Sequence, residues 1–121
     1  MAETESGDRA NVAVSNGLAL VQIVRRGSYW ISPAIKRFGI AMIDRGIRRI
    51  VFDMKQCIGM DSTFMGVLAG LALRLRRSGE DGGVILINLN DKTRNLLKTL
   101  GFSEKEIAEA CARLVPEEQT F

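Results

Sequence analysis

Histidine does not occur anywhere in the 121 residues. Its absence removes nucleophilic catalysis by Ser-His or Cys-His pairs, and every metal site that needs an imidazole ligand. Cysteine is scarce: Cys57 and Cys111 stand far apart without metal-ligand spacing, and read as reduced thiols of a cytoplasmic protein. Long hydrophobic runs are missing too. The longest strongly apolar run, TFMGVLAGLAL at 63–73, falls well short of the ~20 residues that span a bilayer. Arg74, Arg76 and Arg77 follow it, so a buried helix is expected and no membrane insertion. Aromatic side chains make up 6%, and none interleaves with the basic pairs Arg25-Arg26, Arg48-Arg49 and Arg76-Arg77. The net charge of +3 therefore describes solvated element ends, and no nucleic-acid partner is expected. Neither Gly-x-x-x-x-Gly-Lys nor Gly-x-Gly-x-x-Gly is present, and the loop SGEDGG at 78–83 carries two acids that repel phosphate. No cofactor is expected.

What is there suits one globular domain. Hydrophobic residues make up 46% and charged ones 26%, enough for one core at this length and too little room for two. Residues 1–10, MAETESGDRA, read as a flexible polar tail without an apolar signal segment. The domain then occupies 11–115, and residues 116–121, from Pro116 on, read as a frayed end. Two alternating segments, NVAVS and LALVQIV, flank Asn16-Gly17, the dipeptide that supplies the positive φ angles of a type I′ turn; 11–24 is expected to be a hairpin. In SPAIKRFGIAMIDRG, Ser32 can cap a helix, Pro33 suits its first turn, and Ile35, Phe38, Met42 and Ile43 form its apolar face. Gly46 ends it. RRIVFDM at 48–54 and VILINL at 84–89 are apolar on both faces, as strands covered by helices are. DKTRNLLKTLGF predicts a helix ending near Gly101. In SEKEIAEACARL, Ser103 and Glu106 have capping-box spacing, and Ile107, Ala110, Cys111 and Leu114 face inward.

The expected order is thus β-β-α-β-α-β-α-α. Each β-α-β step after the hairpin calls for a right-handed crossover between parallel strands. An α/β domain follows: a small mixed sheet with an N-terminal hairpin and helices mainly on one face, strands 18–24 and 84–89 both flanking 48–54.

The stretch CIGMDSTFMGVL, 57–68, carries the most polar equipment at the mouth of a buried helix. It starts as a loop, turns polar at Asp61-Ser62-Thr63, and becomes apolar. Ser62 or Thr63 can cap the helix through a first-turn N–H. Phe64, Leu68, Leu71 and Leu75 make its core stripe, and Gly66 and Gly70 are expected to let it approach the sheet closely. Asp61 beside Ser62 is more than a cap requires.

RRIVFDMKQCIGMDSTFMGVL resembles the segment of STAS domains, the anti-sigma factor antagonist family, that runs from a core strand into a helix through an Asp-Ser-Ser/Thr-Gly-type motif. GGVILINLNDKTRNLLKTLGF is similar to the strand, short loop, helix and Leu-Gly-Phe/Leu corner that follow, and element order extends the likeness from about Val12 to Leu114. The resemblance implies a bacterial signal-transduction module without enzymatic activity, acting in transcription regulation by partner switching. The residue matching the family's phosphorylated serine is Ser62, with Asp61 its acidic neighbour and Thr63 the second hydroxyl. The implied partner is an anti-sigma factor with serine kinase activity, bound when Ser62 is unphosphorylated. Met60, Asp61, Ser62, Thr63 and Met65 are expected to form the docking surface, Met60 through its flexible thioether. One departure stands out: where the family has a small residue after the hydroxyl pair, this chain has Phe64, which is expected to alter the partner surface or narrow kinase access. The alternative is a STAS scaffold or subunit of another complex, without phosphorylation.

Two other chemistries fare worse. Ser62 as a nucleophile lacks a base, a Gly-x-Ser-x-Gly elbow and a Ser-x-x-Lys spacing. A receiver-like phospho-aspartate domain could place Asp53 at a strand end with Lys92 after a later strand. Receivers, however, resemble one another in an acidic pair after the first strand, and VSNGLAL has none. Asp53 is expected to bond its own loop.

Overall fold

Alternation at period two in the first third, then apolar strands separated by helical periodicity, yields the architecture anticipated. A computed structural model describes residues 7–78 and 82–100. Its elements run β1 (Arg9–Ser15), β2 (Leu18–Gly27), α1 (Ser32–Asp44), β3 (Arg49–Asp53), β4 (Cys57–Met60), α2 (Ser62–Ser78), β5 (Gly83–Ile87) and α3 (Asp91–Leu100). The helix expected at 103–114 lies outside the described residues.

Asn16 and Gly17 both adopt positive φ, 53° and 77°, which lets β1 fold back antiparallel on β2 with Ser15 opposite Leu18. The hairpin begins at Arg9, ahead of the expected Asn11. β3 lies parallel between β2 and β5, with Val51 opposite both Leu20 and Ile85. The central position of β3 explains why Ile50, Val51 and Phe52 are all completely buried.

β4 was not anticipated: CIGM reads as loop, yet it pairs in parallel with the far end of β2, Arg25 opposite Cys57 and Gly27 opposite Met60. The ladder slips between Arg25 and Arg26, and Arg25 takes a left-handed φ of 72° to make the irregularity. The order among the described residues is therefore β-β-α-β-β-α-β-α. Four residues with a glycine among them carry almost no strand signal; the free edge at the end of β2 supplies it.

Helix α1 ends as its glycine indicates. Gly46 has φ 94°; its N–H donates to the Ile43 carbonyl and that of Ile47 to Met42, the paired bonds of a Schellman stop, with Ile47 and Met42 both buried. Its start differs from expectation. Ser32 lies inside the first turn, and its Oγ donates to the Ser28 carbonyl at 2.8 Å; the N-cap position is Ile31, without a side-chain bond. Helix α3 is capped by Asn90, whose Oδ1 accepts the Thr93 N–H at 2.8 Å. The amide of Asn90 also donates to the Cys57 carbonyl at 3.3 Å, tying α3 to β4.

Phe64, Leu68, Leu71 and Leu75 are buried as the stripe predicts. Phe64 meets Phe52 of β3 edge to face, 6.3 Å between ring centroids. Gly66 and Gly70 do not serve close approach to the sheet. Both are exposed, and a methyl added at either would touch nothing within 4 Å among the described residues. The glycines that make room are Gly27 and Gly39: a Cβ there would fall 2.5 Å from the Phe64 ring and 2.7 Å from the Leu71 methyls.

Candidate functional site

The Asp61-Ser62-Thr63 junction sits where β4 passes into α2, beside the carboxyl end of β2. The Asp61 N–H donates to the Gly27 carbonyl at 2.9 Å, closing the ladder between these strands. One residue later the helix begins, so its orphan N–H groups point back at Asp61. The carboxylate answers twice. Oδ1 accepts the Phe64 N–H at 2.9 Å, and Oδ2 accepts the Tyr29 N–H at 2.8 Å. The cap is therefore Asp61, not Ser62 or Thr63. The carboxylate also suits the positive end of the helix dipole. What looked like surplus polarity has a use: one oxygen starts α2 and the other holds the β2–α1 loop.

Ser62 is thereby released from structural duty. It occupies the first turn of α2 with its side chain exposed, and Thr63 beside it is exposed as well. Ser62→Ala should change unfolding free energy by no more than about 0.5 kcal/mol, the range of surface substitutions; urea denaturation checks it.

The other expected surface residues are placed differently. Met60 is only 8% exposed, its backbone pairs with Gly27 in the ladder, and it belongs to the core. The thioether cannot face a partner. Met65 is half-buried against the core. Phe64, expected to alter the surface, is fully buried; the ring points inward because Gly27 leaves space for it, so the residue after the hydroxyl pair does not crowd Ser62.

A pair overlooked in the sequence is exposed on the loop that Asp61 holds. Tyr29 and Trp30 are 56% and 47% exposed and stack at 5.0 Å between centroids. The bond from the Tyr29 N–H to Asp61 holds this loop against the start of α2. Adjacent aromatics at a strand-to-helix junction, in a chain with few aromatics, were the available signal. Large aromatic side chains lose little entropy on docking and are favoured contact residues.

Two further groups have structural roles. Asp53 Oδ1 accepts the Lys55 N–H at 3.0 Å and an Asn88 Nδ2 hydrogen at 2.9 Å, the loop bonds expected of it. The Cys57 Sγ donates to the Gly59 carbonyl at 3.2 Å. Burial raises the thiol pKa above its ordinary value, so it stays protonated and poorly reactive at neutral pH. Cys111 lies outside the described residues.

Comparison with known proteins places this geometry. The family model described as the STAS domain matches residues 9–119. The unphosphorylated form of the anti-sigma factor antagonist SpoIIAA is similar in structure, with a TM-score of 0.69 at 16% identity over 84% of this chain and 94% of that one. An anti-sigma factor antagonist from Mycobacterium paratuberculosis has a TM-score of 0.68 at 16% identity, over 86% and 91%. A sulfate transporter family protein from Wolinella succinogenes has 0.66 at 18%, over 82% and 79%. At these identities the structural likeness speaks for the fold. No curated protein matches the sequence.

Proposed function

This chain belongs to the STAS domain family, and on that premise we propose that it is a non-enzymatic protein-binding module of the anti-sigma factor antagonist type. In this reading it is cytoplasmic and binds an anti-sigma factor with serine kinase activity while Ser62 is unmodified. Phosphorylation of Ser62 releases it. The observation that carries the proposal is the division of labour at the α2 start: Asp61 does the capping, and the adjacent Ser62 hydroxyl is exposed.

The energetics of such a switch follow from that division. A phosphate on Ser62 adds nearly two negative charges at a helix N-terminus, where the dipole tolerates an anion. It leaves the Asp61 bonds in place, so the fold is spared. A partner packed over Tyr29, Trp30, Ser62 and Thr63 would instead trap that charge beside the Asp61 carboxylate, and an unpaired buried charge costs several kcal/mol, to an order of magnitude. Catalysis by Ser62 is not favoured, since its hydroxyl has no hydrogen bond to a base among the described residues and the chain has no histidine.

The second reading, a scaffold or subunit in another complex without phosphorylation, draws on the likeness to the sulfate transporter family protein. Recovery of the partner from native extract, followed by calorimetric titration, separates the two. Ser62→Asp should weaken binding at least about tenfold, roughly 1.4 kcal/mol, while Ser62→Ala binds like wild type and takes up no phosphate in the presence of ATP. Trp30→Ala should weaken binding in either reading. Equal affinities of the two Ser62 variants, both folded, would favour the scaffold.

A further inference from the structure

One large concavity begins at Thr63, at the margin of the proposed docking surface, and runs away from it along α2. Helices α1 and α2 enclose a groove of about 740 Å³. On α1 its wall is Lys36, Ile40 and Ile43; on α2 the lining recurs every three or four residues from Thr63 to Arg77. That periodicity marks one helical face, which extends over roughly 21 Å at ~1.5 Å per residue. Gly66 and Gly70 sit in its middle and are exposed, with nothing among the described residues within 4 Å of where a Cβ would stand. Leu73 at its edge is 47% exposed.

The charges around this apolar floor are of one sign. Among the described residues Lys36, Arg74 and Arg77 line it and no acid does, and none of the three has a carboxylate partner. The shape discriminates between occupants. A small ligand is held where most of its surface can be buried, and a groove whose margins are exposed, with only Ile40, Ile43, Val67 and Leu71 half-buried or buried beneath, leaves one largely wet. A helix buries only one face, and it needs a long trough. The two glycines one turn apart remove the side chains that would otherwise keep a third helix at the far end of the usual 8–10 Å packing range.

We infer that this groove receives an amphipathic α-helix of a protein partner, with small apolar residues on its buried face and Asp or Glu along both margins to meet Lys36, Arg74 and Arg77. The inference deepens the reading of the chain as a protein-binding module and rests on it, but it does not depend on modification of Ser62. Docking there adds a second contact area to that around Tyr29 and Trp30, and its strength falls with salt because the rim is solvated.

The test uses the full chain and three synthetic peptides. The first is an 18-residue stapled helix with Ala and Leu on one face flanked by Glu. In the second, Lys replaces each Glu, and the third scrambles the first. Amide shifts in a nitrogen-15 titration should move in α1 and α2 along the groove for the Glu peptide, and the Lys and scrambled peptides should bind at least tenfold more weakly. Gly70→Leu places its Cβ clear of the described residues, extends into the trough and removes a helix-weakening glycine, so it should fold; it should lose at least tenfold in affinity. The Arg74→Glu, Arg77→Glu double variant should reverse the preference toward the Lys peptide. Trp30→Ala should leave peptide affinity unchanged. No binding of the Glu peptide, equal binding of its scrambled form, or shifts confined to Tyr29, Trp30 and Ser62 would each overturn the inference. So would binding of laurate in the groove when the peptide fails, which would make it a site for small amphiphiles. Failure here leaves docking at Ser62 standing, because that is measured on the recovered partner.

Discussion

Phe64→Ala should lower the free energy of unfolding by about 4 kcal/mol, within the range measured for truncating a buried phenylalanine. The ring is fully buried and packs edge to face on Phe52, and its removal opens a cavity between α2 and the sheet. Alanine's better helix propensity returns only about 0.5 kcal/mol. Against a typical domain stability of roughly 5–15 kcal/mol, the variant should be marginal, with a urea midpoint far below wild type. Gly27→Ala tests the same contact from the other side, since its methyl would fall 2.5 Å from the ring. It should destabilise the wild-type chain and be better tolerated beside Phe64→Leu, which a double-mutant cycle reads as coupling. A loss under about 1 kcal/mol for Phe64→Ala would contradict the inward placement of this ring.

Asp61→Ala should cost about 2 kcal/mol. Loss of an N-cap contributes about 1 kcal/mol, and loss of a charged acceptor for the Tyr29 N–H adds about 1 more, at the low end because the site is partly solvated. Asp61→Asn keeps an oxygen for capping and should recover about half of the loss. The functional effect should exceed the structural one. Without Asp61 the Tyr29 amide loses its acceptor, so its hydrogen exchange should quicken while amides of β3 keep their protection relative to global stability. Partner binding should then fall even for protein that remains folded. Unchanged exchange at Tyr29 would mean that the loop is held by something other than this carboxylate.

The relation between Asp61 and Ser62 shows where reading from the chain stops. On sequence alone the cap goes to Ser62 or Thr63 with Asp61 set aside, but Asp caps about as well as either, so residue type does not decide among the three. The choice falls to Asp61 because its N–H is tied to Gly27, which sets the helix start one residue later. The Met60 assignment failed for a related reason. A methionine between glycine and aspartate looks solvated, but pairing of β4 with the end of β2 turns it into the core. Gly66 and Gly70 show the reverse case: their spacing specifies one helical face and not what that face meets.

By itself the sequence determined what rests on local chemistry and periodicity. The Asn16-Gly17 turn follows from backbone conformations few residues adopt. The burial of β3 follows from apolar residues on both its faces, the core stripe of α2 from a 3.6-residue period, and the α1 stop from Gly46. The Asp-Ser-Thr motif between two buried strands located the candidate site. Only the tertiary structure decided what depends on segments far apart in the chain. It made a strand of CIGM by offering it the edge of β2, and it tied the Tyr29–Trp30 loop to Asp61, the residue before Ser62, through a bond that spans 32 residues. It turned Phe64 inward because Gly27 has no side chain, and among the described residues it left the glycine face of α2 open beside α1. Each of these outcomes is a contact between distant segments, and such contacts are set by which surfaces the assembled sheet leaves free.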